Sequence, residues 1–193
     1  EGERWVRFAT LDVPGVPEDI AFDPLGRLWL VGGVRTDEAA GSGFVARWDG
    51  TELALLEDGF DSMVFRVAFA PGRRERGQAI VGGAFKHIGT TGFERIARYT
   101  GKGWEALGDN LSGAPLSLAW LEDAIYAGTE PSETQMVLAR WQGERWEEMA
   151  TAARGLPPPE PGGSHQVYAL LPRGNGVLVG GQLWPPGALV NES

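Results

Sequence analysis

The sequence predicts an all-β protein, a β-propeller of four-stranded antiparallel blades with four repeats in its 193 residues. Three observations predict it. One motif recurs: an apolar run closing on a double glycine, a polar loop, a second apolar run with a basic-aromatic end, then a short stretch around tryptophan. It is fullest from Ala79 to Leu107, appears before that as LWLVGG, FVARWDG and ELALL, and returns afterwards as AIYAGT, VLARWQG and RWEEM. A spacing of about 42 to 52 residues with four strands per copy is the dimension of a blade. The apolar pieces are also too short for helices, being held between glycine and proline punctuation. Finally, the 29 glycines are about twice the usual share of roughly 7%, which points to many tight turns joining short strands.

In chain order, residues 1–8 (EGERWVRF) look like the end of a repeat, because Gly2 to Trp5 match Gly143 to Trp146 letter for letter. This is a D strand. The A strands are read around Ile20-Ala21-Phe22, Val67-Ala68-Phe69, Leu118-Ala119-Trp120 and Tyr168-Ala169-Leu170. In each, alanine stands between larger apolar residues, so one face is bulky and the other small. The B strands run over Leu28 to Gly33, Gln78 to Gly83, Ala124 to Thr129 and Gly176 to Gly181. Their terminal glycine pairs Gly32/Gly33, Gly82/Gly83 and Gly180/Gly181 mark bulges or close backbone approaches. The C strands are Val45 to Trp48, Ile96 to Tyr99, Leu138 to Trp141 and a shortened Ala188 to Val190. Tight turns at Asp49-Gly50, Thr100-Gly101 and Gln142-Gly143 lead back into D strands. The repeats therefore cover about 9–56, 57–107, 108–150 and 151–193 plus 1–8 of a single domain. The chain opens on a D strand and ends on a C strand, so pairing them would complete the last blade and remove an open edge. The residues equally suit an arc of a larger ring, or arcs joined between two chains.

Composition narrows the function. A formal charge of −9 argues against nucleic acid, which needs a basic face. The absence of cysteine removes disulfides, thiol nucleophiles and thiolate metal sites. No apolar run approaches the roughly 20 residues of a membrane-spanning helix. The first residue is Glu1, which fits a processed precursor or a piece of something longer.

The motif VGGAFKHIGTTGFERIARYTGKGWEALGDNL, with its echoes at LVGG, ARWDG, ARWQG and VYALL, resembles the kelch-like repeats of bacterial secreted proteins and of fungal cortical marker proteins. The resemblance spans nearly the whole chain and implies propeller architecture with a secreted, periplasmic or cell-surface location. It implies no activity, since propellers serve many. The third copy departs from it at AIYAGTEPSETQM. A broader likeness to the galactose-oxidase propeller carries no residues across.

Within that frame the B-to-C and D-to-A loops share one end and hold an excess of carboxylates. That end is read either as attracting a cation or basic partner or as plain solubilising charge. The ligand-binding candidates there are Glu18, Asp58, Asp61, Asp109, His165 and Trp184. Trp184 is unrepeated and offers a ring for a sugar or an anchor for its own loop. No catalytic residue, metal ligand set or cofactor is assigned; Asp58-Gly59-Phe60-Asp61 is too sparse for a calcium loop, and calcium enters only as an ion the acidic loops would attract. His87 and His165 lack partners at a motif spacing. Arg47, Arg98 and Arg140, each before an aromatic, and Trp5, Trp104 and Trp146 are copied between repeats, so they are read as packing residues, the arginines stacking on Trp48, Tyr99 and Trp141 or pairing between blades. The function expected is a non-catalytic binding or scaffold module facing a protein or glycan, with self-association if the ring is shared. The alternative is a metal-assisted hydrolase or lyase with carboxylates at the channel mouth.

Overall fold

In the computed structural model, residues 10–36, 39–71, 78–108, 111, 113–130, 138–149 and 166–182 are described. The strands predicted at residues 1–8 and 188–190 lie outside them, as do Trp5, Asp109, His165 and Trp184. Among the described residues the chain is strand and turn, with no helix.

Short apolar runs ending at glycine, proline or Asx turns leave the backbone no partner except a neighbouring strand, and antiparallel hairpins result. The first sheet joins β1 (Val16–Phe22), β2 (Leu28–Thr36), β3 (Ala39–Trp48) and β4 (Leu53–Phe60) in sequence order. The second is ordered β10-β9-β6-β5, from β5 (Val64–Phe69), β6 (Ala79–Gly83), β9 (Ile96–Tyr99) and β10 (Trp104–Ala106). The third runs β11 (Pro115–Leu121), β12 (Ala124–Thr129), β13 (Leu138–Trp141), β14 (Trp146–Glu148), and the fourth pairs β15 (Gln166–Arg173) with β16 (Gly176–Gln182). All pairings are antiparallel. Two short strands, β7 (His87–Ile88) and β8 (Thr91–Gly92), extend the first sheet beyond β4.

The sheets stack in chain order: β5 packs on β1 and β2, β11 on β5 and β6, and β15 on β11 and β12. Two large apolar clusters fill the first two gaps. Trp29, Val31, Val45 and Phe60 meet Val67, Val81, Ala97 and Phe85 between the first and second sheets. Ile80 and Ile96 meet Trp120, Ile125, Trp141 and Trp146 between the second and third. Between the third and fourth, Leu138 and Val167 pack with Leu170 and Val179.

Register shows how the repeats superimpose. Ile20 faces Leu30, Val67 faces Val81, Leu118 faces Ala127 and Leu170 faces Val179. Val67 and Phe69 pack back on the preceding sheet, as Leu118 and Trp120 do, while Ala21, Ala68 and Ala119 lie toward the sheet that follows. The sequence expectation of one bulky and one small face thus has a geometric meaning in the first three copies. The fourth needs a correction. Tyr168-Ala169-Leu170 is displaced by two residues, because Tyr168 sits at the bulge between Val167 and Ala169, and the residue matching Ala68 and Ala119 is Leu171. An apolar triplet alone does not reveal a bulge upstream of it.

The glycine pairs are similarly offset. A Cβ on Gly83, Gly181 or Gly32 would collide with the carbonyl oxygen of Met63, Gln166 or Val16, respectively. These three are equivalent, each opposite a bulge on the first strand of its sheet. In the first copy Val31 takes the place of Gly82 and Gly180, and Gly33 is an extra residue whose Cβ would press on Met63 Cγ at 2.7 Å.

Candidate functional site

The B-to-C connection of the second repeat, read from sequence as a polar loop, is a built element. Phe60 of β4 pairs with Ile88 of β7, and β7 pairs with β8 through His87 to Gly92 and Ile88 to Thr91. Phe85, Ile88 and Phe93 are buried under it, and Phe60 meets Phe85 edge-to-face at 5.0 Å. An apolar floor anchors the hairpin while Thr90, Thr91 and Gly92 at its tip stay exposed.

Asp61 clamps this hairpin. Its Oδ1 accepts the backbone N–H of Lys86 at 2.7 Å and of His87 at 3.0 Å, and its Oδ2 lies 2.8 Å from His87 Nδ1. Burial raises the Asp61 pKa, but the His87 and Lys86 donors outweigh it and hold the carboxyl below the usual carboxylate value. The chain then returns into β9 through Glu94 and Arg95, both left-handed, with φ of 45° and 74°. Arg95 is kept there by its carbonyl, which accepts the Gly83 N–H at 3.0 Å. Two consecutive non-glycine residues in that region store strain that the surrounding bonds must hold.

Of the other candidates, Glu18 is exposed at the β1 bulge. The register from Val16 through Gly33 and Gly43 to Phe60 puts it at the same end of the first sheet as Asp61. Asp58 lies in β4 near that end, with its side chain outside the described residues. The structure therefore brings Asp61 together with His87 and places Glu18 at the same end. Among the described residues no three His, Asp or Glu side chains gather into a metal-holding group.

The recurrent arginines act through cross-strand neighbours rather than the aromatic that follows them. Arg47 lies over the Trp29 ring, 5.8 Å from its centroid, and Arg140 over Tyr126 at 5.7 Å; these are their partners in the strand registers. Arg98 faces Ile80 in the same register and instead bonds Glu105 at 2.7 Å. Stacking on Trp48 or Trp141 is ruled out by pleating, since consecutive side chains point to opposite faces. Trp146 donates its Nε1–H to Leu107 O at 2.7 Å, whereas Trp104 Nε1 at the equivalent position is buried without a partner.

At the opposite end a cleft of about 300 Å³ opens between the third and fourth sheets, lined by Glu122, Asp123, Tyr126, Arg140, Gln142 and Asn175. Sequence reasoning did not single it out, because its walls come from separate turns around Glu122, Gln142 and Asn175 that only the packing of the sheets brings together. It also passed over Asp23, whose buried carboxylate organises the first turn. No family model, curated protein or solved structure matches this chain.

Proposed function

We propose that the four sheets are blades of a kelch-like β-propeller and that the protein is a non-catalytic binding or scaffold module. Its contact surface is the loop end carrying Glu18, Asp61 and the β7–β8 hairpin, presented to a protein or glycan partner. The observation that carries this reading is the hairpin itself. A loop that only solubilises needs neither an apolar floor of Phe85, Ile88 and Phe93 nor a carboxylate clamp on two backbone amides. Fixing a polar tip before contact reduces the ordering cost of binding, which is the use of a rigid scaffold under a recognition loop. The copied residues support the same view, since the glycines, Arg47 and Arg140 are spent on backbone approach and ring stacking.

The test is a glycan array and an array of basic peptides, each probed with wild type and with Thr91→Arg at the exposed tip. Binding by wild type that drops at least about tenfold in the variant, with unchanged Tm, supports the reading. No binding to either array, or equal binding by both proteins, overturns it.

A further inference from the structure

Among the described residues, every inner sheet of the stack is covered on both faces, but the two end sheets are not. Toward the missing neighbour, the first sheet shows Ile20 at 58% and Phe22 at 59% exposure. Their equivalents on β5 and β11, Val67 and Trp120, are each 7% exposed against the preceding sheet. At the other end the fourth sheet shows Leu171 at 61%, where Ala119 in the third is 3% exposed beneath Leu170.

The uncovered faces match one another in detail. In the second sheet Gly82 is the seat of Pro115 from the third, whose Cβ would stand 2.8 Å from a Cβ on that glycine. Gly180 occupies the Gly82 position in the fourth sheet, and among the described residues only Ala169 of its own sheet comes within 4 Å of a Cβ there. Pro17 occupies the Pro115 position in the first sheet, opposite Gly32 as Pro115 is opposite Thr129, and it is exposed. One end carries the projecting residues Pro17, Ile20 and Phe22; the other carries the empty seat at Gly180 beside Leu171. The outer part of the first sheet's open face, Leu28, Leu30, Phe44 and Ala46, is already covered by Leu11 and Val13 of the same chain. Among the described residues, what remains uncovered is the part of that face around Ile20 and Phe22 of β1.

We propose that a second copy of this chain occupies these faces. Its β15–β16 sheet packs on β1 and repeats head to tail the junction that joins the sheets within one chain. A head-to-tail contact leaves one open face of each kind unless it closes, and two copies making it reciprocally form a two-fold ring with none exposed. Apolar sheet faces otherwise left in water are the driving force.

The experiment is sedimentation of the full chain over a concentration series, with Phe22→Glu and Leu171→Glu tested alone and mixed. The wild type is expected at twice the chain mass. Each variant is expected as a monomer, its self-association weakened about 30-fold or more by a carboxylate at the junction. Mixing them is expected to restore a dimer through one intact junction, because each variant keeps the face the other has lost. Gly180→Leu, at an open backbone position, is expected to block the junction with the Tm of the isolated chain preserved. A wild type that stays monomeric at every concentration, a dimer that survives either charged variant, or a mixture that does not associate overturns the proposal.

Discussion

Asp23 is the residue on which the first turn depends. Its Oδ1 accepts the backbone N–H groups of Leu25 and Arg27, both at 2.9 Å, and its Oδ2 accepts Arg27 Nε at 2.6 Å and Trp29 Nε1 at 3.0 Å. Trp29 in turn is fully buried and meets Phe69 and Tyr99 of the second sheet edge-on. One carboxylate thus shapes a turn and aims the largest side chain of the first inter-sheet core. Burial raises its pKa, but the Trp29, Arg27 and Leu25 donors outweigh that, and the net value lies below the usual 3.8. Asp23→Ala is expected to cost about 3 kcal/mol at neutral pH, because it strands the Trp29 N–H inside the core. Urea unfolding of both proteins measures it. Since the folded value is the depressed one, the advantage of wild type over the variant is full above 3.8 and shrinks as pH falls through the lower folded value. A gap that stays constant into that acid range refutes this assignment. The string FDPLGR shows an Asx turn to a reader of sequence, but not that the same carboxylate reaches an indole six residues on.

At the level of the element, the repeat positions differ in what they tolerate. Gly83 faces the backbone of its own first strand, so Gly83→Ala is expected to destabilise by about 3 kcal/mol, at the upper end of overpacking costs. Gly180→Ala makes only an ordinary contact with Ala169 Cβ at 3.7 Å and is expected to stay within about 0.5 kcal/mol in dilute solution. Thermal unfolding of the pair checks both, and equal losses would contradict the register equivalence of the sheets. Much of this was legible in the letters: β9, β12 and β13 have the bounds expected of them, and the double glycine closes β6 as expected, whereas β2 runs on past Gly32/Gly33 to Thr36 and β16 past Gly180/Gly181 to Gln182. The β7–β8 hairpin was not legible. Its two-residue strands have no periodicity of their own, and they exist because β4 offers Phe60 as a partner and Asp61 as a clamp. The arginine stacking was missed because sequence adjacency suggests a neighbour, whereas pleating selects the residue across the ladder.

For the whole molecule the long-range term is charge. A net −9 makes the folded chain repel itself, and the repulsion is screened as the Debye length falls from about 30 Å at low salt to about 8 Å at physiological salt. Moving between those conditions with sodium chloride is expected to raise Tm by about 2 to 4 °C, equivalent to ~1 kcal/mol for a chain of this size. Calorimetry at several ionic strengths reads the slope, and a Tm that falls with salt would mean that attractive pairs outweigh the net charge. Among the described residues the Arg145–Glu147 pair is exposed and Arg98–Glu105 partly so, so screening them costs little.

The amino-acid sequence by itself determined that the chain is built of short antiparallel strands in four related units, because period-two patterning and turn chemistry are local and survive translation along the chain. Only the tertiary structure decided which face of each unit meets its neighbour, where the bulges shift the register, and that Asp61 and His87, 26 residues apart, share one clamp. Those outcomes depend on backbones approaching across a gap, and distance through space is not written in the order of residues.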